Sequence, residues 1–219
     1  FINNLLKHGK TEISSNELKR LNDTLDRYLG KVPATFWYKM KQYNPRTFAD
    51  EVVHFADDYI AVASFADQPL YKQFILQDKF NWANDSFYNV TLNEMQMLTD
   101  TALARGWSIG WEGDVTEPGF NSYGGFASIP DTIHRYDEER LINYRNESTE
   151  RDHMMHIVGA GRDEKNRKWY HLKNSWGQWF SRYKGYLYMD ENYLKLKTVI
   201  VMVNKEALPE KLKDKLGLK

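Results

Sequence analysis

The sequence has 219 residues, of which 42% are hydrophobic and 15% aromatic, so it carries enough apolar surface to bury a core, which argues against a disordered chain. Thirty Lys and Arg residues balance thirty Asp and Glu residues, and the resulting net charge of zero argues against a nucleic-acid partner. No stretch approaches the roughly 20 apolar residues of a membrane-spanning helix, and the absence of cysteine excludes disulfides, thiolate zinc sites and a thiol nucleophile within these residues.

The first part of the chain begins with a predicted helix. Ser14 and Glu17 form a capping-box pattern, and apolar residues follow at helical spacing until Gly30 ends the pattern. A second, short helix is predicted for residues 47–55. The β-prone run 59–65 is predicted to form a strand.

A second long helix is predicted near the middle of the chain. Residues 81–89 are polar and aromatic without a period, which predicts a loop, and residues 91–104 then place their apolar side chains on one helical face. A strand over residues 107–111 follows. The Gly-, Pro- and charge-rich stretch 113–150 is predicted to be a long connection with a short helix over residues 137–143.

The last third of the chain is β-prone. Four runs are predicted as strands, at residues 154–158, 168–173, 185–189 and 198–203. The polar turn 161–166 predicts an antiparallel hairpin between the first two, and the tail after Pro209 is predicted to be a solvated terminal helix. We therefore predict an α+β fold with a mainly helical region, residues 1–106, that contains one strand, and a β-rich region, residues 107–219.

Three of the six histidines lie in this β-rich region, namely His153, His156 and His171. Neutral imidazoles are common metal ligands, so a zinc site is one hypothesis. Residues three apart on a strand point to opposite faces, which argues against a shared ion for the first two. We therefore expect no metal site.

A second group of candidate site residues lies at the start of one predicted strand and just after the end of the next. The hairpin brings His153 close to Asn174, whose side-chain oxygen is able to accept a hydrogen bond from one ring nitrogen. This is the base-and-orienter pair of a catalytic triad, and Trp176 is placed to cover the hydrogen bond. The alternative is that His153 is an ordinary polar residue, Asn174 a turn residue and Trp176 a core residue.

The segments around these residues carry a family pattern. They are Asp152-His153, Gly159-Ala160-Gly161, Trp169-Tyr170-His171-Leu172-Lys173-Asn174-Ser175-Trp176-Gly177 and Lys184-Gly185-Tyr186. In this order and spacing they resemble the histidine and asparagine motifs of papain-like cysteine peptidases. Residues 28–33, residues 58–67, the Asn89 segment and the helix that leads to Trp107 are similar to the bleomycin hydrolase or aminopeptidase C branch.

The resemblance implies a role for each matching residue. His153 would be the catalytic base, Asn174 would orient its ring, and Trp176 would support the pair, whereas His156 and His171 match no catalytic position. The implied fold is the β-rich C-terminal half of a papain-like peptidase, preceded by a helical insertion. The implied reaction is peptide-bond hydrolysis through a thioester, without a cofactor.

The nucleophilic cysteine and the glutamine of the oxyanion hole have no match in this sequence. In a papain of ordinary size the cysteine lies about 130 to 150 residues before the histidine, and residues 3–23 contain none. In the bleomycin hydrolase branch it lies much further upstream. We therefore expect this chain to be the C-terminal part of such a peptidase, inactive alone, with an N-terminal part that supplies both residues.

The resemblance also implies partners and a location. The expected partners are a peptide substrate, the N-terminal part of the same peptidase and further copies of the protein in a hexamer, and the expected location is the cytoplasm, with export left open. The sequence departs from the family at residues 215–219, which lack the usual apolar, Pro-containing ending. Aminopeptidase action is therefore in doubt, and endopeptidase action or the release of dipeptides stays open.

Two other functions stay open. A catalytically inactive papain-like module that only binds peptides would keep the cleft and lack the nucleophile. A self-standing metal hydrolase would use His153, His156 and His171 and would contain zinc.

Overall fold

The structure is a computed structural model that describes residues 13–54 and 58–218. Contacts divide the chain into two compact units, residues 1–55 and residues 56–219. The regions 1–106 and 107–219 stay a prediction, and strands from both of them pair in the sheet of the second unit.

The first unit contains a long helix and a small hairpin. Helix α1 (Ser15–Leu29) begins where predicted, because the Glu17 backbone N–H donates to the Ser14 hydroxyl and the Ser14 N–H donates to the Glu17 carboxylate. The elements that follow are strands β1 (Phe36–Tyr38) and β2 (Lys41–Tyr43), helix α2 (Pro45–Phe48) and a π-helical turn (Ala49–Val53). The helix predicted over residues 47–55 thus begins at Pro45, and residue 55 lies outside the described residues.

The second unit is built on one large sheet. Its strands are β3 (Tyr59–Ala63), β4 (Gln73–Ile75), β5 (Ser86–Asn89), β6 (Ile109–Gly113), β7 (Phe120–Asn121), β8 (Phe126–Ala127), β9 (His153–Arg162), β10 (Lys168–Lys173), β11 (Tyr186–Asp190) and β12 (Thr198–Asn204). Their order in the sheet is β4-β5-β3-β12-β6-β9-β10-β11-β8-β7. Neighbours are antiparallel except for the pairs β3–β5 and β8–β11, which are parallel.

Four helices accompany this sheet in the described chain. They are α3 (Leu92–Ala104), α4 (Tyr136–Arg145), α5 (Glu191–Lys197) and α6 (Glu210–Leu216), and 3-10 turns lie at Gln178–Phe180 and Lys205–Ala207. Helix α3 buries Leu92, Met95, Leu98 and Ala102, which share one helical face, and packs against β6, β9 and β12. The core therefore lies between α3 and the middle of the sheet.

The predicted elements of the last third are all present. The four β-prone runs form β9 to β12, and β9 and β10 pair as the predicted antiparallel hairpin. The α+β prediction is confirmed. Strand β9 is longer than predicted because residues 159–162 continue its pairing with β10.

Three predictions need correction. Residues 86–89, predicted as part of a loop, form β5, because Phe87 and Asn89 are buried and the strand pairs with β3 and β4. The strand predicted over residues 107–111 begins at Ile109 instead. The tail helix is not simply solvated, since Leu212 and Leu216 lie in the main core.

Within residues 13–54 and 58–218, every helix falls short of the combined length and hydropathy that crossing a lipid bilayer requires.

Candidate active site

The head of β9 and the end of β10 place two of the predicted site residues together. The Nε2 atom of His153 lies 2.8 Å from the Oδ1 atom of Asn174, and both side chains are half-buried. Asn174 follows directly after β10, and its backbone N–H donates to the Gly185 carbonyl at 2.9 Å. Gly185 has a φ of 90°, a conformation that side chains disfavour.

A bulge in β9 sets which residues face each other. His171 pairs with Gly159 but Leu172 pairs with Ile157, so β9 carries one extra residue at this point. The shifted register pairs Lys173 with His156 and brings the residues beyond β10 closer to the head of β9. The bulge thus helps to bring Asn174 within reach of His153.

The hydrogen bonds of Asn174 determine the tautomer of His153. The Ser175 backbone N–H donates to Asn174 Oδ1 at 2.7 Å, so this atom is the amide oxygen and accepts from His153 as well. The Nε2 atom of His153 therefore carries the proton. In the neutral ring, Nδ1 is then the basic nitrogen, and it has no hydrogen-bond partner among the described residues.

Trp176 contacts the histidine ring. Its ring centroid lies 4.6 Å from that of His153 at an interplanar angle of 40°. Phe120 and Phe180 pack edge-on against the same indole, with centroids 6.1 Å and 6.4 Å away. The indole side chain is 37% exposed, so it shields one side of the imidazole and leaves another side open.

The carboxylates of buried Asp114 and partly buried Asp152 fix the backbone before His153. Of the two, Asp114 was not predicted from the sequence. The Asp114 carboxylate accepts hydrogen bonds from the backbone N–H groups of Thr116 and Glu150, at 2.7 Å and 2.8 Å. The Asp152 carboxylate accepts from the Val115 N–H at 3.1 Å. Two carboxylates thus tie the end of β6 to the head of β9. The available signal was the Asp-x-Thr pattern at a strand end, which is typical of an Asx turn.

Two other acidic side chains lie close to Asp152 in this link. Burial raises the pKa of Asp152 above its ordinary value, and the negative charges of Asp114 and Glu150 act in the same direction, against the Val115 N–H and His153. Burial raises the pKa of Tyr193 as well, and its hydroxyl donates to the Asp114 carbonyl at 2.8 Å. The backbone that leads to His153 is therefore flanked by carboxylates.

The other two histidines lie apart from this pair. His156 is exposed on β9, and His171 stacks against Tyr186 and Tyr188 with centroid distances of 4.9 Å to each ring. Over the part of the chain that the structure describes, no three His, Cys, Asp or Glu side chains are grouped so as to hold a metal ion. The described pair is able to accept and hold a proton but contains no nucleophile, since the sequence has no cysteine.

Comparison with known proteins identifies a family model that matches most of the chain. The model of the peptidase C1-like family matches residues 34–218. A search of curated proteins gives no match.

Three solved structures are similar to the chain to different degrees. PepW from Lactobacillus rhamnosis HN001 has a TM-score of 0.68 and 19% identity over 92% of this chain and 50% of that chain. Digestive procathepsin L2 proteinase from the Tenebrio molitor larval midgut has a TM-score of 0.36 and 23% identity, over 52% and 31% of the two chains. Bromelain protease from Ananas comosus has a TM-score of 0.32 and 16% identity, over 52% and 46%.

The likeness to PepW extends over nearly all of this chain but over half of the PepW chain. The chain therefore spans half the length of that relative. At 19% identity the likeness shows a shared fold, and together with the family match it confirms the predicted papain-like α+β fold.

Proposed function

The chain belongs to the peptidase C1-like family, and on this premise we propose that it supplies the base and the orienting amide of a cysteine peptidase. His153 is the base, Asn174 orients its ring, and Trp176 supports the pair. The observation that carries the proposal is the 2.8 Å contact between His153 Nε2 and Asn174 Oδ1. It leaves Nδ1 as the basic atom on the side away from Asn174.

The proposed reaction uses this nitrogen twice. Nδ1 of His153 takes the proton of a cysteine thiol, and the thiolate attacks the carbonyl carbon of a peptide bond. The imidazolium then gives its proton to the leaving amine as the C–N bond breaks and a thioester forms. Water hydrolyses the thioester, with His153 again as base, and regenerates the thiol.

The nucleophile in this proposal lies outside the 219 residues, because they contain no cysteine. We propose that an N-terminal part of the same peptidase supplies it, together with the glutamine of the oxyanion hole. The motifs similar to bleomycin hydrolase and aminopeptidase C support this assignment, since in that branch the cysteine lies far upstream. This chain alone is then inactive as a peptidase.

The same resemblance supports further parts of the proposal. The partners are a peptide substrate and further copies of the protein in a hexamer, and the location is the cytoplasm. Substrate profiling of the natural protein distinguishes aminopeptidase from endopeptidase action.

The proposal is tested by active-site labelling of the natural protein that contains this chain. Bromelain was solved in complex with the inhibitor E64, and we expect a thiol-reactive inhibitor of this class to modify a cysteine outside these residues. His153→Ala should abolish labelling and lower kcat/KM by about 10²-fold or more, the usual contribution of a general base. His156→Ala, an exposed histidine on the same strand, is the matched control and should change neither.

Two results would overturn the proposal. One is hydrolysis of a peptide by the purified 219-residue chain that is lost in His153→Ala, because catalysis would then need no cysteine. The other is labelling of the natural protein that is equally strong in His153→Ala and wild type.

The second candidate function is a peptide-binding module without catalysis. The absence of cysteine from the sequence favours it, and so does the exposed aromatic surface of Trp176, Trp179 and Phe180 next to the histidine. This function predicts that the natural protein binds peptides but reacts with no thiol-directed inhibitor.

A further inference from the structure

A cavity of about 620 Å³ lies at the far end of β9 from His153. Its lining comes from the end of β9, from β10, β11 and β8, and from the segments before β8 and β11. A volume between about 300 and 1,000 Å³ is typical of sites for small molecules. No part of the proposed peptidase reaction uses these residues.

Two glycines of β9 form the floor of the cavity, where they leave space because they have no side chain. Gly159 and Gly161 alternate along β9, and a Cβ atom added to Gly161 would meet no atom within 4 Å. A Cβ on Gly159 would meet only the Cβ of His171, at 3.9 Å. The missing side chains therefore leave a space that larger residues at either position would fill.

The walls are aromatic. Trp169, His171 and Tyr188 project from adjacent strands, and the ring of His171 stacks on that of Tyr188 at an angle of 16°. Burial lowers the pKa of His171, which favours the uncharged ring, and this ring also stacks on Tyr186 at a centroid distance of 4.9 Å. Flat rings around an open floor favour a planar ligand.

One arginine at the rim has no ionic partner among the described residues. Arg182 lines the cavity and is exposed, and its guanidinium lies over the Tyr183 ring, 5.4 Å from the centroid. Arg162 alternates with Gly161 on β9 and so projects from the other face of the strand, where its Nη1 donates to the Asn166 carbonyl at 2.7 Å. The one acidic lining residue, Asp163, pairs with Arg167 and accepts a hydrogen bond from the Trp169 indole at 3.1 Å. A ligand with a negative group would compensate the charge of Arg182.

The backbone at the floor is already paired. Gly159 and Gly161 lie opposite His171 and Trp169 in the β9–β10 ladder, so an extended peptide has no free strand edge to join here. This feature favours a compact ligand over an extended peptide.

We propose that this cavity binds a small planar organic anion, with its ring against the aromatic wall and its carboxylate or phosphate at Arg182. The glycines of β9 provide the space, and Arg182 provides the affinity for negative charge. The site belongs to the second unit alone and does not depend on the proposed peptidase activity.

The test is ligand-observed NMR and calorimetry with the 219-residue chain and three probes. Indole-3-acetate should bind, and the neutral indole-3-acetamide should bind about tenfold more weakly or worse, the effect of losing one charge-assisted hydrogen bond. Phenyl phosphate distinguishes the two anion classes, because the tighter of the two anions identifies the preferred group.

Two variants locate the binding. Gly161→Val should abolish it by filling the floor, and Arg182→Gln should weaken it about tenfold. Arg135→Gln, an exposed arginine directly before α4 and not in the cavity lining, is the control and should have no effect. Circular dichroism establishes that each variant is folded, and if one variant fails to fold, the other decides.

Three outcomes would overturn the proposal. They are the absence of binding by any probe at millimolar concentration, equal affinity for the acetate and the acetamide, and undiminished binding by a folded Gly161→Val variant.

Discussion

At the scale of single residues, the tautomer of His153 follows from a neighbour. The amide oxygen of Asn174 accepts from both the Ser175 N–H and His153 Nε2, and an oxygen that accepts twice forces the ring nitrogen to donate. The basic Nδ1 atom is thereby turned away from Asn174. One side-chain amide thus decides which ring nitrogen of the imidazole is able to take a proton.

The first prediction concerns this tautomer. In the neutral state of the wild-type chain, nitrogen-15 NMR should show His153 protonated at Nε2. Asn174→Ala removes the acceptor, so the preference for this tautomer should decrease. The His156 resonances serve as an internal control, and an unchanged His153 tautomer in the variant would show that Asn174 does not set it.

The second prediction concerns a buried indole. Trp111 is fully buried, and its Nε1–H donates to the Thr198 hydroxyl at 2.7 Å. Thr198→Val keeps the shape but leaves the indole N–H without an acceptor, so the free energy of unfolding should fall by about 1–3 kcal/mol. Thr198→Ser retains the hydroxyl and should lose less. Urea unfolding measures both variants, and equal losses would contradict the assigned role of the hydrogen bond.

At the scale of elements, the β9–β10 hairpin shows how a local pattern and a distant contact combine. The turn 161–166 was predictable because its residues are polar and separate two β-prone runs. Asp163 organises this turn: its carboxylate accepts from the backbone N–H groups of Lys165 and Arg167, both at 2.9 Å. The bulge between Ile157 and Gly159 was not predictable, since it depends on pairing with β10.

The third prediction is a pH dependence of this hairpin. Partial desolvation acts to raise the pKa of Asp163, but hydrogen bonds from Arg167 and Trp169 outweigh it and lower the pKa from 3.8 to about 2. A folded-state pKa below the unfolded value stabilises the protein above pH 3.8, and this contribution is lost as the pH falls towards 2.

The measurement compares urea midpoints of wild type and Asp163→Asn as a function of pH. The wild type should be more stable at neutral pH, and the difference should shrink between pH 4 and pH 2. Glu164→Gln, in the same turn, is the control and should show no such change. A difference that persists at pH 2 would contradict the prediction.

At the scale of the whole molecule, the last residues of the chain complete the main core. Leu212 and Leu216 on α6 are 2% and 6% exposed, and they belong to the same core as Leu98 of α3. Lys215 on the same helix pairs with Glu94 at 2.7 Å. The tail therefore contributes to the stability of the second unit as a whole.

The fourth prediction follows from this packing. Leu212→Ala should lower the free energy of unfolding of the chain by about 2–5 kcal/mol, the cost of a cavity in a packed core. Lys211→Ala, exposed and adjacent on the helix, should change it by less than about 0.5 kcal/mol. Chemical denaturation measures both, and equal effects would show that α6 does not stabilise the core.

Local chemistry is why so much of the fold was predictable. The capping box at Ser14, the apolar face of α3 and the β-prone runs of the last third are patterns within a few residues of each other. Strand β5 was missed because residues 86–89 have no clear period and become a strand by pairing with β3 and β4. Helix α5 was not predicted either, since its seven residues directly join two strands.

The sequence by itself determined the α+β class, the hairpin, and the His153 and Asn174 pair as the candidate site, because spacing along a hairpin limits which residues meet. It also determined that no cysteine nucleophile lies within these residues. The tertiary structure alone decided the bulged register, the tautomer of His153 and the burial of the tail helix. The cavity beside Gly161 also depends on the tertiary structure. These features depend on contacts between segments far apart in the chain, which no local pattern encodes.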